Sequence, residues 1–199
     1  TTYSPQVRGY WFIAPTCFTI TGLEVPTDAS SSEQNIAVIL FDTVPPLYPD
    51  TAQGYTVLYL TQNNAASGII AVDIPVNEGQ VIGILGNRGD NNSYAPAPYT
   101  SAIGAFPVTL SRLGMQYTLS TTAPKEMWTE AAANLSRVIM YYDTVSTVTL
   151  NATWQGGFNY SFTNGSGASS LSVYDYGDGS PLDTAYNPTH TFPTFGTYN

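Results

Sequence analysis

The chain has 199 residues and a net charge of −9, with only 10% charged residues against 15 tyrosines, 17 glycines and 14 prolines. Charge this sparse lies well below the ~25% usual in soluble domains, so solubility must rest on hydroxyls, amides and a negative surface, a pattern common in extracellular all-β proteins. The five basic residues, Arg8, Arg88, Arg112, Lys125 and Arg137, are scattered, and without a basic stripe to neutralise phosphates, nucleic acid and anionic membranes are poor partners.

No apolar run approaches the ~18 residues of a spanning helix, so no transmembrane segment is expected. The polar start Thr1-Thr2-Tyr3-Ser4-Pro5 suits a mature chain whose signal peptide has been removed, and hence an extracellular or cell-surface location. The length provides for one or two domains of ~100–150 residues.

Strand-like segments begin at Tyr10-Trp11-Phe12-Ile13 and continue over residues 18–25. There Phe18, Ile20 and Leu23 are separated by polar residues in the period-two pattern of a half-buried strand. After a polar loop over 26–34, the nearly continuous apolar run Ile36-Ala37-Val38-Ile39-Leu40-Phe41 predicts a central strand covered on both faces. Pro45, Pro46 and Pro49 then forbid regular pairing in a long connection. Residues 55–60 and 69–76 are the next strands, and Asn77-Glu78-Gly79-Gln80 reads as a hairpin turn into Val81-Ile82-Gly83-Ile84-Leu85-Gly86. An apolar strand, Glu-Gly and then Val-Ile-Gly-Ile-Leu is a frequent jelly-roll pattern.

Residues 87–99 form the longest loop without apolar periodicity, and such loops on a rigid sandwich often carry binding residues. Strands resume at 106–110 and 115–119. Residues 124–135 predict the one helix, a short one: Met127, Ala131 and Leu135 recur at four-residue spacing, and Pro124 suits a first turn. Residues 137–142 return to strand. The polar joint at 143–146 places a domain boundary near residue 145, so that a jelly-roll-like β-sandwich over 1–145 precedes a second sandwich over 146–199, which opens with strands at 148–154 and 158–162.

Near the end, Leu171-Ser172-Val173-Tyr174-Asp175-Tyr176 alternates as a strand into the turn Gly177-Asp178-Gly179-Ser180-Pro181. Thr189-His190-Thr191-Phe192 and Gly196-Thr197-Tyr198 follow. This order of motifs resembles the polycystic-kidney-disease (PKD) repeat, an immunoglobulin-like β-sandwich whose hallmark reads Trp-Asp-Phe-Gly-Asp-Gly, then His-x-Tyr, then Gly-x-Tyr. Tyr174 and Tyr176 stand where that family usually has Trp and Phe, and Phe192 where it often has Tyr, aromatic for aromatic in each case. The resemblance covers about the last quarter of the chain. It implies a spacer or interaction module of surface proteins and of secreted polysaccharide- or protein-degrading enzymes. PKD-like domains usually continue past Gly-x-Tyr into a final strand, so the last sheet is expected to lack one. Either the sequence is a fragment of a longer chain, or a neighbouring subunit supplies the strand by β-augmentation.

Hydrolytic triads and zinc sites fail on inventory, because His190 and Cys17 are the only residues of their kinds. His190 is expected to brace the PKD-like turn and Cys17 to be a small buried hydrophobe. Nothing singles out a carboxylate pair such as Glu24 with Asp73 or Glu78 for glycosidase chemistry, so no catalytic residue is assigned. Asp175, Asp178 and Asp183 cluster around the Gly-rich turn and either cap it or hold Ca²⁺ through oxygen ligands; no other cofactor is expected.

Arg88-Gly89-Asp90 matches a tripeptide recognised by some cell-surface receptors, although a lone tripeptide arises readily by chance. Four Asp-Thr-apolar triplets fall in predicted loops or joints. They either begin turns or offer Thr43, Thr51, Thr144 and Thr184 as acceptors for bacterial O-glycosylation. Among the aromatics, Trp11 and Trp154 read as core, whereas Tyr94 and Tyr99 sit in the long loop and are suited to stack on the faces of pyranose rings.

The sequence thus predicts an all-β chain of two tandem β-sandwiches, the second an Ig-like PKD-type sandwich lacking its last strand. Its expected role is that of a non-enzymatic extracellular or cell-surface structural or adhesive segment of a larger bacterial protein, or the subunit of an extracellular assembly, with other protein subunits or surface glycans as partners. An accessory carbohydrate-binding region of a secreted hydrolase is the alternative.

Overall fold

The computed structural model describes residues 6–96, 99–144, 150–164, 173–185 and 187–198. Among these the chain is all-β, with strands in several antiparallel sheets and no helix. It divides into two compact units, Thr1–Val145 and Ser146–Asn199.

The first unit contains β1 (Val7–Ile13), β2 (Phe18–Glu24), β3 (Gln34–Phe41), β4 (Tyr55–Asn64), β5 (Ile70–Val76), β6 (Val81–Arg88), β7 (Tyr94–Ala95), β8 (Thr100–Ile103), β9 (Phe106–Thr109), β10 (Ser111–Met115), β11 (Met127–Thr129), β12 (Leu135–Ser136) and β13 (Ile139–Thr144). A six-stranded sheet runs β11-β10-β1-β6-β3-β4, and a three-stranded sheet runs β13-β2-β5. β7 pairs with β12, and β8 with β9.

β3 shows why residues 36–41 are apolar without a break. Ile36 and Val38 join Phe12, Ile82 and Ile84 against Phe18, Ile20, Leu23 and Ile74 of the three-stranded sheet. Their neighbours Ala37 and Ile39 point the other way, into a second cluster with Phe41, Leu85, Leu113, Met115, Leu119 and Met127. Alternation along an extended chain sends consecutive residues to opposite faces, so a stretch of strand with an apolar core on each side is apolar at every position. Each large side chain buried in this way contributes ~1.5–3 kcal/mol. At Gly9 the two central strands meet so closely that a Cβ would lie 1.8 Å from the Ile84 carbonyl oxygen, and only glycine fits.

Several expectations are corrected. Residues 77–80 make a turn, with Gly79 at φ 82°, but not a hairpin: β5 pairs with β2, whereas β6 pairs with β1 and β3. The turn carries the chain from one sheet to the other, anchored by Gly79 N–H donating to Ala14 O and Ala14 N–H to Gln80 O, both at 2.9 Å.

The helix over 124–135 does not form. Met127 packs in the second cluster and Leu135 in the first, on opposite sides of the six-stranded sheet, so no single helical stripe serves both. Glu126 takes φ 49°, and the chain then pairs with β10 as β11. The strand expected over 115–119 instead ends at Met115. The loop at 87–99 is shortened by β6, which runs to Arg88, and interrupted by β7. Cys17 is only half-buried, and its Sγ accepts from the Glu78 N–H.

The second unit holds β14 (Leu150–Gly156), β15 (Asn159–Asn164) and β16 (Thr189–Thr191) in the order β14-β15-β16. Leu171 and Ser172, the start of the strand expected before the Gly-Asp-Gly turn, lie outside the described residues. Within the described part, Tyr174 forms a single bridge to Asp183 rather than a strand. Trp154, expected in the core, is 64% exposed. Around Tyr176 an aromatic cluster does form. The Tyr176 ring stacks on His190 at 3.9 Å, His190 meets Phe192 edge-on at 4.7 Å, and Phe192 stacks on Tyr198 at 4.7 Å. His190 braces the turn, its Nε2 lying 2.6 Å from Asp178 Oδ2.

Candidate functional site: two polar clefts on one sheet face

Strand register brings together residues far apart in sequence. Arg8 on β1 lies opposite Gly114 on β10, which lies opposite Trp128 on β11. Arg112 and Glu130 are each two residues along from one of these, so Arg8, Arg112, Trp128 and Glu130 share one face. Gly114 leaves the space over which the others close: a Cβ there would meet Trp128 at 2.9 Å and Glu130 at 3.0 Å.

Glu130 bridges the two guanidinium groups, with Oε1 2.7 Å from Arg8 Nε and Oε2 2.5 Å from Arg112 Nη2. Arg8 is held further by Nη1 donating to Val7 O and Met115 O, both at 3.0 Å, and by Nη2 donating to Gln6 Oε1 at 2.5 Å. Arg112 Nη1 donates to Ala131 O. The Arg8 guanidinium also lies 5.6 Å from the Trp128 ring centre, a cation–π distance. Tyr48 packs edge-on against the other part of this arrangement, 5.5 Å from Trp128. It is brought there by the proline-rich connection, which β11 pins through Thr129 N–H donating to Pro46 O at 2.7 Å and Thr129 Oγ1 donating to Pro45 O at 2.6 Å.

Gln6, Arg8, Arg112 and Glu130 form the floor of two adjoining clefts. One, of about 720 Å³, is walled by Asn91, Asn92, Tyr94 and Asn134. The other, of about 430 Å³, is walled by Tyr48, Gln116 and Trp128. Burial raises the Tyr94 phenol above its ordinary pKa, while the Arg8 and Arg112 charges and that of Glu130 act in opposite senses.

Tyr99 stands elsewhere. It lines a separate apolar cavity of about 220 Å³ with Tyr10, Phe12, Ile103, Val108 and Tyr142. Burial, with Tyr99 second, pushes the Tyr10 phenol far up, and its hydroxyl donates to Val138 O at 2.8 Å. The two tyrosines picked out as one glycan platform therefore belong to different sites.

The three aspartates of the second unit cap local structure. Asp175 Oδ1 accepts from Gly177 N–H, Asp178 Oδ1 from Ser180 N–H, and Asp183 from Ala185 N–H and the Tyr176 hydroxyl. Among the described residues no three His, Cys, Asp or Glu side chains are placed to hold a metal ion. The Ser180 hydroxyl and N–H, and then His190, hold the Asp178 carboxyl down at about 2. Of the two Ser180 groups only the N–H has full hydrogen-bond geometry, at 3.0 Å; the hydroxyl is buried beside it with no hydrogen-bond partner among the described residues. Burial, and next the neighbouring Asp183 charge, push the Tyr176 phenol up to about 12.

Thr43, Thr144 and Thr184 are exposed and Thr51 is half-buried, with Thr144 ending β13 rather than lying in a joint. Arg88, only 2% exposed, donates to the Val25, Ser32 and Ser67 carbonyls, so the arginine of Arg88-Gly89-Asp90 is built into the fold while Asp90 is exposed. No helix among the described residues is long and apolar enough to cross a membrane.

Sequence reasoning missed Tyr48, Arg8, Arg112 and Glu130. Strand register unites Arg8, Arg112 and Glu130, hydrogen bonds from Thr129 to the proline-rich connection bring in Tyr48, and no local motif marks either. Comparison with protein-family models, curated proteins and solved structures returned no match.

Proposed function

We propose that this chain is a non-enzymatic structural or adhesive segment of an extracellular or cell-surface assembly, and that it joins a second copy of itself along an open sheet edge. The observation that carries this reading is β14. Among the described residues this seven-residue strand pairs only with β15, and residues 150–155 are all exposed. Leu150 and Trp154, 48% and 64% exposed, alternate with Ala152 along one face. An edge with unpaired backbone groups and exposed apolar side chains is a template for another strand, and natural sheets usually block such edges with Lys or Pro. Residues 150–155 carry neither a charge nor a proline.

Antiparallel pairing of two β14 strands makes a self-complementary two-fold contact. The sparse charge and the PKD resemblance support the same surface setting, and the packing of sheet on sheet in the first unit supports a sandwich. Sedimentation velocity across a concentration series tests the proposal. The wild-type chain is expected to self-associate and Trp154→Lys to weaken this at least tenfold; a wild-type monomer at every concentration would overturn it.

A second reading, an accessory carbohydrate-binding region of a secreted hydrolase, is favoured by one specific observation. Tyr94 is exposed on the wall of an amide-lined cleft, an arrangement that offers both a stacking face and hydrogen-bonding groups to a sugar.

A further inference from the structure

The two clefts share their floor, and we infer that together they form one groove for an uncharged oligosaccharide, with Tyr48 and Tyr94 as stacking rings at its two ends and Arg112 and Glu130 as the hydrogen-bonding floor between them. The inference rests on the carbohydrate-binding reading and is independent of the β14 edge.

Size comes first. The volumes of about 720 and 430 Å³ each fall within the ~300–1,000 Å³ of small-molecule sites, and Gln6, Arg8, Arg112 and Glu130 line both. A ligand that fills both openings is therefore extended.

The walls indicate its chemistry. Tyr48 and Tyr94 are 66% and 46% exposed. Tyr48 is nevertheless backed by Trp128, a buried ring that Arg8 holds from above. An exposed phenol on a rigid backing suits the C–H face of a pyranose, which is apolar and flat.

The floor supplies directional groups. A guanidinium has five N–H donors in a fixed plane. Arg112 uses one on Nη1 for Ala131 O and one on Nη2 for Glu130, which leaves its Nε hydrogen and one on each terminal nitrogen for a ligand. Each Glu130 oxygen already accepts one guanidinium hydrogen and keeps a second lone pair. Donor and acceptor side by side on a preformed plane match the neighbouring hydroxyls of a sugar. The amides of Asn91, Asn134 and Gln116 along the walls add further donors and acceptors.

Charge selects the neutral class. Two guanidinium groups are offset by Glu130, with Asp90 beside them in the larger cleft. The chain as a whole carries −9. A polyuronate or sulfated glycan would approach against that field without a surplus of positive charge to receive it.

The test uses the full chain on an array of neutral, uronate-containing and sulfated oligosaccharides, followed by calorimetric titration of any neutral hit. Expected is binding to neutral oligosaccharides that Tyr48→Ala and Tyr94→Ala each weaken roughly tenfold, while Tyr99→Ala, in the separate apolar cavity, leaves it unchanged. Both rings are exposed, and melting curves matching wild type show that the variants fold. Neutral-sugar binding indifferent to both substitutions overturns the groove while the carbohydrate-binding reading survives. Binding confined to uronate or sulfated glycans overturns the neutral class, and with it the inference. Absence of binding across the array overturns both.

Discussion

Replacing Glu130 by Gln tests how the groove floor is held. The substitution keeps the shape of the side chain and removes the charge that faces Arg8 and Arg112 at 2.7 and 2.5 Å. Removing one partner of a fully buried ion pair costs about 3–5 kcal/mol, because the remaining charge is left uncompensated. Here the cost is smaller. Arg8 keeps its bonds to Val7, Met115 and Gln6, Arg112 is partly solvated, and the glutamine oxygen still accepts one hydrogen bond. A charge-assisted hydrogen bond contributes about 1.5–3 kcal/mol, and losing the charge component of two, with solvent compensating at Arg112, gives about 2–3 kcal/mol. At ~2–4 °C per kcal/mol for a chain of this size, the melting temperature of the first unit should fall by about 5–10 °C. Differential scanning calorimetry reads this, and near-UV circular dichroism reports the Trp128 environment in the same sample. A fall below about 1 °C would show that the bridge contributes little and that the floor is held by Arg8's carbonyl contacts alone.

Gly9→Ala places a methyl group 1.8 Å from the Ile84 carbonyl oxygen. Since the clash is with backbone, the variant should lose upwards of about 3 kcal/mol, read as a shifted urea midpoint or as failure to accumulate folded protein; an unchanged midpoint would contradict the close approach of β1 to β6. In the second unit, Asp178 sits at about 2 against an ordinary 3.8. Its folded pKa is depressed, so the stabilisation is complete above about pH 4 and is lost as pH falls towards 2. An acid titration of the His190 and Tyr176 ring resonances should follow that window, and Asp178→Asn should lower stability at neutral pH and flatten the response between pH 4 and 2.

The all-β character was legible because alternation is local. Residues 36–41 announce a strand with a core on each side, and both clusters lie where that pattern requires. The brace between His190 and Asp178 was legible for a similar reason, since both belong to motifs only twelve positions apart. What was not legible depends on partners distant in sequence. The Asn77–Gln80 turn has ordinary turn chemistry, but nothing in it states whether the next strand pairs with the last or crosses to the other sheet. Met127 and Leu135 share a helical spacing by coincidence, because each packs against a different face of the six-stranded sheet. Arg8, Arg112 and Glu130 meet through two ladder registers, and Tyr48 through backbone bonds from Thr129 to a proline-rich connection. Trp154 read as core because tryptophan usually is, yet it is 64% exposed on β14, an edge strand among the described residues.

That edge is where the proposed function is most directly put to the test. Amide hydrogen exchange along β14, measured from dilute to concentrated protein, reports whether its outward N–H groups acquire partners. The account predicts protection of residues 150–155 that grows with concentration in the wild-type chain and is lost in Trp154→Lys. Exchange that stays fast and independent of concentration would contradict strand pairing between copies.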